Sequence, residues 1–194
     1  MIAPLSKDNV MKRYLPAAAW VAALLAAGAA SAAEPYVEIF GGAVFQPDLE
    51  WGGSDYELDT GWNAGATVGW FVTPSVALEA EVMHTTATYT GYDNDLESTS
   101  LMLNAVYHSQ PSGRLQPYLG AGVGAVEVVY DNVAYEASDT VLGWQLMGGV
   151  LIPVGERVSL FAEYRYQGAE EASDAGLDWE YMSHNVSGGL RFRF

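Results

Sequence analysis

Apolar and polar residues alternate along most of this chain from Tyr36 onward, a period of two that makes strands rather than helices. Eight such runs can be marked, near 35–46, 61–72, 76–90, 97–109, 116–130, 139–152, 157–168 and 182–194. Each exceeds the roughly 5–6 residues usual for a soluble strand and reaches the about 9–11 residues a tilted strand needs to cross a bilayer. The connections alternate as well. Thr73-Pro74-Ser75, Pro111-Ser112-Gly113-Arg114 and Pro153-Val154-Gly155-Glu156 are short, whereas 46–60, 91–96, 131–138 and 169–181 are mostly longer and polar. Short turns at one end of a sheet and long loops at the other predict an all-β fold, an eight-stranded antiparallel up-and-down transmembrane β-barrel.

The two faces of each run differ in kind. In the last, His184, Val186, Gly188, Leu190, Phe192 and Phe194 oppose Ser183, Asn185, Ser187, Gly189, Arg191 and Arg193. In the seventh, Val158, Leu160, Ala162, Tyr164 and Tyr166 oppose Ser159, Phe161, Glu163, Arg165 and Gln167; in the third, Val76, Leu78, Ala80 and Val82 oppose Ala77, Glu79 and Glu81. One face suits lipid and the other a polar interior. The second run carries Trp62 and Trp70, eight residues apart on its apolar face. That separation is about 26 Å of strand at about 3.3 Å per residue, or about 20 Å along the membrane normal at a tilt of about 40°. Indoles so placed match the two interfacial aromatic belts. A soluble sandwich or lipocalin-like barrel would turn the apolar faces inward, but their many Ala and Gly are too lean to fill a core.

Ahead of this pattern lies a segment of another kind. Read from Met11, which is the expected true start, Lys12 and Arg13 precede an apolar stretch from about Ala17 to Ala27 and a small-residue exit, Gly28 to Ala33. That is the layout of a secretory signal peptide, with cleavage expected after Ala32 and cleavage after Ala33 as the alternative, so residues 1–32 are read as leader and 33–194 as the barrel domain. Cleavage removes Lys7, Lys12, Arg13 and Asp8, so the 8 basic and 24 acidic groups of the 194-residue chain become 5 and 23, and the net charge of -16 becomes -18. All five remaining cations are Arg. So acidic a chain excludes nucleic-acid binding, and with no Cys it holds neither a disulfide nor a thiolate metal site.

Three segments resemble a known family. Tyr36-Val37-Glu38-Ile39-Phe40-Gly41-Gly42 looks like the first strand of small outer-membrane barrels, and Gln116 to Ala125 looks like their Pro-Tyr-Leu-Gly-x-Gly-x-Gly strand. At the end, Ser187, Gly189, Phe192 and Phe194 fill the polar, Gly, hydrophobic, aromatic spacing of the C-terminal signal read by the barrel-assembly machinery. The resemblance is to the OmpA-like and opacity-protein superfamily and covers essentially the whole barrel domain. It implies residence in a Gram-negative outer membrane, with termini periplasmic and long loops extracellular, amid outer-membrane lipid and lipopolysaccharide.

Candidate chemistry lies in two places. The inward faces carry Glu38, Glu79, Glu81, Glu163, Arg165, Arg191 and Arg193, expected to form a lumen ion-pair network, because isolated buried charges are costly. Glu163, Arg165, Arg191, Arg193 and Glu38 fall in one sector once the barrel closes. The four long loops carry Asp and Glu without a single Lys or Arg; they offer a surface to an extracellular partner, or loose Mg²⁺ or Ca²⁺ binding. No metal site and no cofactor are specified. Catalysis is not expected: lipid A-modifying barrels need a nucleophile beside a base, and Ser183 and Ser187 face away from His184. The expected role is structural or surface interaction (envelope integrity, adhesion, antigen display); the alternative is a small-solute channel of the porin type.

Overall fold

The computed structural model describes residues 34–45, 49–51, 54–56, 60–88, 95–109, 114–132, 135–174 and 177–194. The segment read above as leader, 1–32, lies outside these. The described chain is all strand: β1 (Pro35–Phe45), β2 (Leu49–Trp51), β3 (Ser54–Tyr56), β4 (Gly61–Thr73), β5 (Val76–Thr88), β6 (Asp95–His108), β7 (Gln116–Asn132), β8 (Tyr135–Pro153), β9 (Val158–Asp174) and β10 (Leu177–Arg193). Strands β1, β10, β9, β8, β7, β6, β5 and β4 follow one another round a closed barrel, and β2 and β3 form a separate small hairpin. Closure is made by β1, which pairs antiparallel with β4 on one side and β10 on the other. Closing the sheet gives every spanning strand a hydrogen-bonded neighbour on both sides, which a sheet in hydrocarbon requires.

The period-two pattern is realised with the apolar side outward. Leu103 and Val123, in the central parts of β6 and β7, are 53% and 59% exposed, and Trp62 and Leu119, nearer the ends of β4 and β7, are 53% and 68% exposed. Their neighbours Asn63, Asn104, Tyr118 and Gly122 face the axis, the first three of them buried. A sheet that shows Leu and Val to its surroundings and hides Asn and Glu is inside-out relative to a soluble core. Among the described residues no helix is long and apolar enough to cross a membrane; the strands do the crossing.

Two connections differ from expectation. Residues 131–138 and 169–181 are not long loops: β7 runs to Asn132 and pairs with β8 from Tyr135, and β9 runs to Asp174 and pairs with β10 from Leu177. Within 46–60 the chain forms the β2–β3 hairpin. The error has a physical origin. Strand continued beyond the lipid has water on both sides, so it loses the apolar alternation while keeping its backbone ladder, and its acidic sequence then reads as loop. The barrel is consequently uneven: β1, β4, β5 and β6 have 11 to 14 residues, whereas β7 to β10 have 17 to 19.

Candidate functional site

Strand parity decides which charges meet. Glu79 and Glu81 are two apart on β5, Glu163 and Arg165 two apart on β9, and Tyr36, Glu38 and Phe40 alternate along β1; each set therefore points to the axis together. In an eight-stranded barrel the interior is just wide enough for side chains to fill, so residues from opposite walls touch. All of these side chains are buried.

The charges assemble into two clamps, each an arginine between two glutamates. In the lower clamp, nearer the chain ends, Arg191 Nε donates to Glu38 Oε1 at 2.5 Å, and its Nη2 lies 3.6 Å from Glu79 Oε1. Glu38 and Arg191 are register partners on β1 and β10, whereas Glu79 reaches in from β5. The guanidinium lies 4.0 Å above the Tyr36 ring, and the Tyr36 hydroxyl donates to Glu79 Oε1 at 2.5 Å. Gly69 makes this possible: a Cβ there would stand 2.3 Å from the Tyr36 ring, so only glycine lets the phenol lie across β4 to reach β5.

In the upper clamp, Arg165 donates through Nη1 to Glu81 Oε1 and through Nη2 to Glu163 Oε1, both at 2.6 Å. The Phe40 ring lies 5.1 Å from its guanidinium carbon. Tyr118 hydroxyl donates to Glu163 Oε2 at 3.0 Å, and Gln145 Nε2 to Glu81 Oε1 at 3.1 Å. Gly149 accommodates the Tyr118 ring as Gly69 does Tyr36; a Cβ would meet it at 2.5 Å. Phe40, Met83, Val106, Tyr118, Met147, Leu151 and Phe161 pack as an apolar cluster within the barrel.

Six of the seven expected network residues thus come together. Arg193 does not: its amide bonds to Arg157 O at 2.8 Å and its Nη2 approaches Glu156 O at 3.4 Å, so it lies at the terminal rim. The network is also wider than one sector, because Glu79 and Glu81 enter from β5. Tyr36, Phe40, Tyr118 and Gln145 escaped the sequence reading. Tyr36 shares parity with Glu38 and was open to detection on that ground. His108 is inward, 3.4 Å from Arg191, with the tilted rings of Phe71 and Tyr118 at 5.1 and 5.5 Å. Among the described residues further from the termini the interior contacts are neutral: Ser187 Oγ donates to Asn63 Oδ1 at 2.9 Å, Asn63 Nδ2 to Asn185 Oδ1 at 3.0 Å, and Thr85 and Ser98 share a 2.7 Å bond.

The remaining marked residues divide by face. Phe192 and Phe194 are outward and exposed, whereas Ser187 is buried inside and Gly189 lies against the Phe161 ring. Trp62 faces out and Trp70 follows it in parity. His184 bonds Tyr164 on the outside and Ser187 bonds Asn63 on the inside, so the two are not partners. Among the described residues no three His, Asp or Glu are grouped to hold a metal; the acidic side chains of 46–59, 91–95, 131–139 and 170–180 lie outside those described.

A family model for the outer membrane protein beta-barrel domain matches residues 17–194. The chain belongs to that family. Other outer-membrane barrels share its shape. Neisserial surface protein A is 19% identical, with a TM-score of 0.67 over 82% of this chain and 97% of that one. The N-terminal barrel domain of Pseudomonas aeruginosa OprF is 20% identical, with a TM-score of 0.50 over 84% and 99%. Ail, the attachment invasion locus protein of Yersinia pestis, is 12% identical, with a TM-score of 0.51 over 84% and 99%. No curated protein matches the chain in sequence. This outer-membrane barrel protein therefore shares a fold with surface and structural barrels of Gram-negative type, and at these identities the likeness is one of fold.

Proposed function

We propose that this protein is a closed structural barrel of the outer membrane whose surface end makes contacts outside the cell, and that it conducts little. The observation carrying the reading is the pair of clamps. Arg165 and Arg191 tie β5, β9, β10 and β1 together through the axis, and Phe40, Met83, Met147 and Phe161 fill the space around them. A charge crossing this region has to displace bonded, mutually neutralising groups, which is costly. Two relatives in shape are named as a surface protein and an attachment invasion protein, which supports a surface role. The leader is removed after Ala32, Phe192 and Phe194 present the assembly signal, the termini lie in the periplasm, and the acidic segments face outward, where they meet an extracellular partner or divalent cations. The barrel has no catalytic task, and neither nucleic acid nor cofactor is its partner.

Planar-bilayer recording of the purified barrel tests the central point. Baseline current with rare brief openings is expected; a steady, reproducible large conductance would replace this reading with the porin-type one. Protease shaving of intact cells should cut within 46–60 and spare the 73–76 and 153–158 turns, and amino-terminal sequencing should begin at Ala33.

A further inference from the structure

The longer strands do not form one continuous wall to their ends. β8 and β9 are laddered from Pro153 opposite Ser159 as far as Gly143 opposite Ala169, and there the ladder stops. Both strands continue. β8 runs back to Tyr135, paired with β7 from Leu142 opposite Ala125 to Tyr135 opposite Asn132, and β9 runs on to Asp174, paired with β10. Among the described residues this side therefore ends in two hairpins, β7–β8 and β9–β10, that share no ladder beyond Gly143 and Ala169. The parting has a local cause. Between Ala169 opposite Tyr181 and Ala172 opposite Trp179, β9 sets two residues, Glu170 and Glu171, against one on β10, Glu180. That is a β-bulge, which bends the strand that carries it and increases its twist. It falls at the step where β9 leaves β8, and it turns the β9–β10 hairpin away.

A strand edge invites another strand, and proteins blunt such edges with bulges, Pro or Lys. On β9 the bulge does this. β8 lacks such a device: its register with β7 runs unshifted from Leu142 to Tyr135, and 135–142 contain no Pro, Gly or Lys. This stretch is longer than the about 5–6 residues of an ordinary strand, so it offers a full ladder. Charge selects the occupant. Segment 128–142 carries three Asp or Glu and 169–182 carries five, with no Lys, Arg or His in either. A second copy of this chain would bring the same charge, and like charges set opposite each other destabilise a ladder. An extended segment rich in Lys or Arg gains attraction to these carboxylates together with main-chain hydrogen bonds.

We propose that the edge of β8 from Tyr135 to Leu142, where β9 has turned aside, takes up an extended basic segment of an extracellular protein as an added strand. The ladder supplies alignment and the surrounding carboxylates supply the preference for Lys and Arg. This deepens the surface-contact reading above and rests on its orientation.

The test uses the whole barrel in phosphatidylcholine nanodiscs, whose lipid carries no net charge to hold a cationic probe. The probe is a synthetic peptide of alternating Lys and Thr, matched in length to the edge. Its fully N-methylated form keeps the charge but has no backbone donors. The unmethylated peptide should bind at least about tenfold more tightly than the methylated one, and should protect amides within 135–142 from hydrogen exchange. Equal binding of the two peptides, or protection confined to other segments, overturns the proposal. So does the same protection produced by Ca²⁺ alone, which would make the carboxylates a cation surface. Deleting Ala172 removes the extra residue of β9 and leaves every charge in place. In that variant 138–142 should be protected without peptide, as the β8–β9 ladder extends, and the peptide should bind about tenfold more weakly, with heat-modifiable gel migration unchanged. Protection gained with peptide binding unchanged also overturns the proposal. Nanodiscs expose both ends of the barrel, so a failure here is a failure of the edge, whereas a wrong orientation shows only in surface proteolysis of cells.

Discussion

Arg191 and Arg165 are built into the barrel from the same parts, a guanidinium between two carboxylates and beside an aromatic face, yet they are satisfied differently. The lower clamp is a closed circuit. Arg191 meets Glu38 and Glu79, rests on Tyr36, and Tyr36 returns a hydrogen bond to Glu79. In the upper clamp Arg165 Nε has no partner, its Nη1 is 3.2 Å from the weak acceptor Met83 Sδ, and its aromatic neighbour is a phenylalanine with no hydroxyl to share. The glutamates show the reverse. Glu81 keeps Gln145 and Thr67 and Glu163 keeps Tyr118 when the arginine is set aside, whereas Glu38 relies on Arg191. A buried ion pair is worth only what its remaining donors and acceptors allow, so equal charge counts do not imply equal stability.

Removing each arginine breaks this comparison most directly. Arg191→Met should destabilise the barrel by about 3–5 kcal/mol, because it leaves buried carboxylates unpaired. Urea unfolding in lipid vesicles, read as a lowered midpoint at constant slope, measures it. Next in size, Tyr36→Phe should cost about 1.5–3 kcal/mol, the range for a hydrogen bond to a charged group. Arg165→Met should cost less than Arg191→Met, about 1–3 kcal/mol, since neutral donors remain at both glutamates and the unpartnered Nε is removed as well. An Arg165→Met loss equal to that of Arg191→Met would show that the surviving donors carry nothing. Smallest, Tyr118→Phe should cost about 0.5–1.5 kcal/mol, its bond being the longer of the two phenol contacts. If Tyr118→Phe proved costlier than Tyr36→Phe, the closed circuit would not be the tighter clamp.

Much of this architecture is legible in the order of residues, for a simple reason. In a strand, side-chain direction follows from counting by two, so Glu38, Glu79, Glu81, Glu163, Arg165 and Arg191 could be assigned to one side before any coordinates existed. Trp62 and Trp70 mark the height of the apolar band in the same way. Residues 131–138 and 169–181 defeated the method because strand outside lipid has no reason to alternate. The roles of Tyr36 and Tyr118 escaped for another reason, although the parity of Tyr36 with Glu38 gives its side. A phenol suits the lipid interface and a polar interior equally well, and nothing local to Tyr36 announces Glu79, 43 residues away.

What the chain determines unaided, then, is side: which residues meet hydrocarbon and which meet the axis, because parity is local and the solvent on each face selects the residue type. What closure alone decides is partnership. Which glutamate receives which guanidinium depends on strand register and on where Gly69 and Gly149 open a path for a ring, and both arise only when eight strands are staggered into one ring. Arg193 illustrates the difference: it has the parity of Arg191 and lies two residues beyond it, yet it ends at the terminal rim beside Glu156 because the interior closes above it.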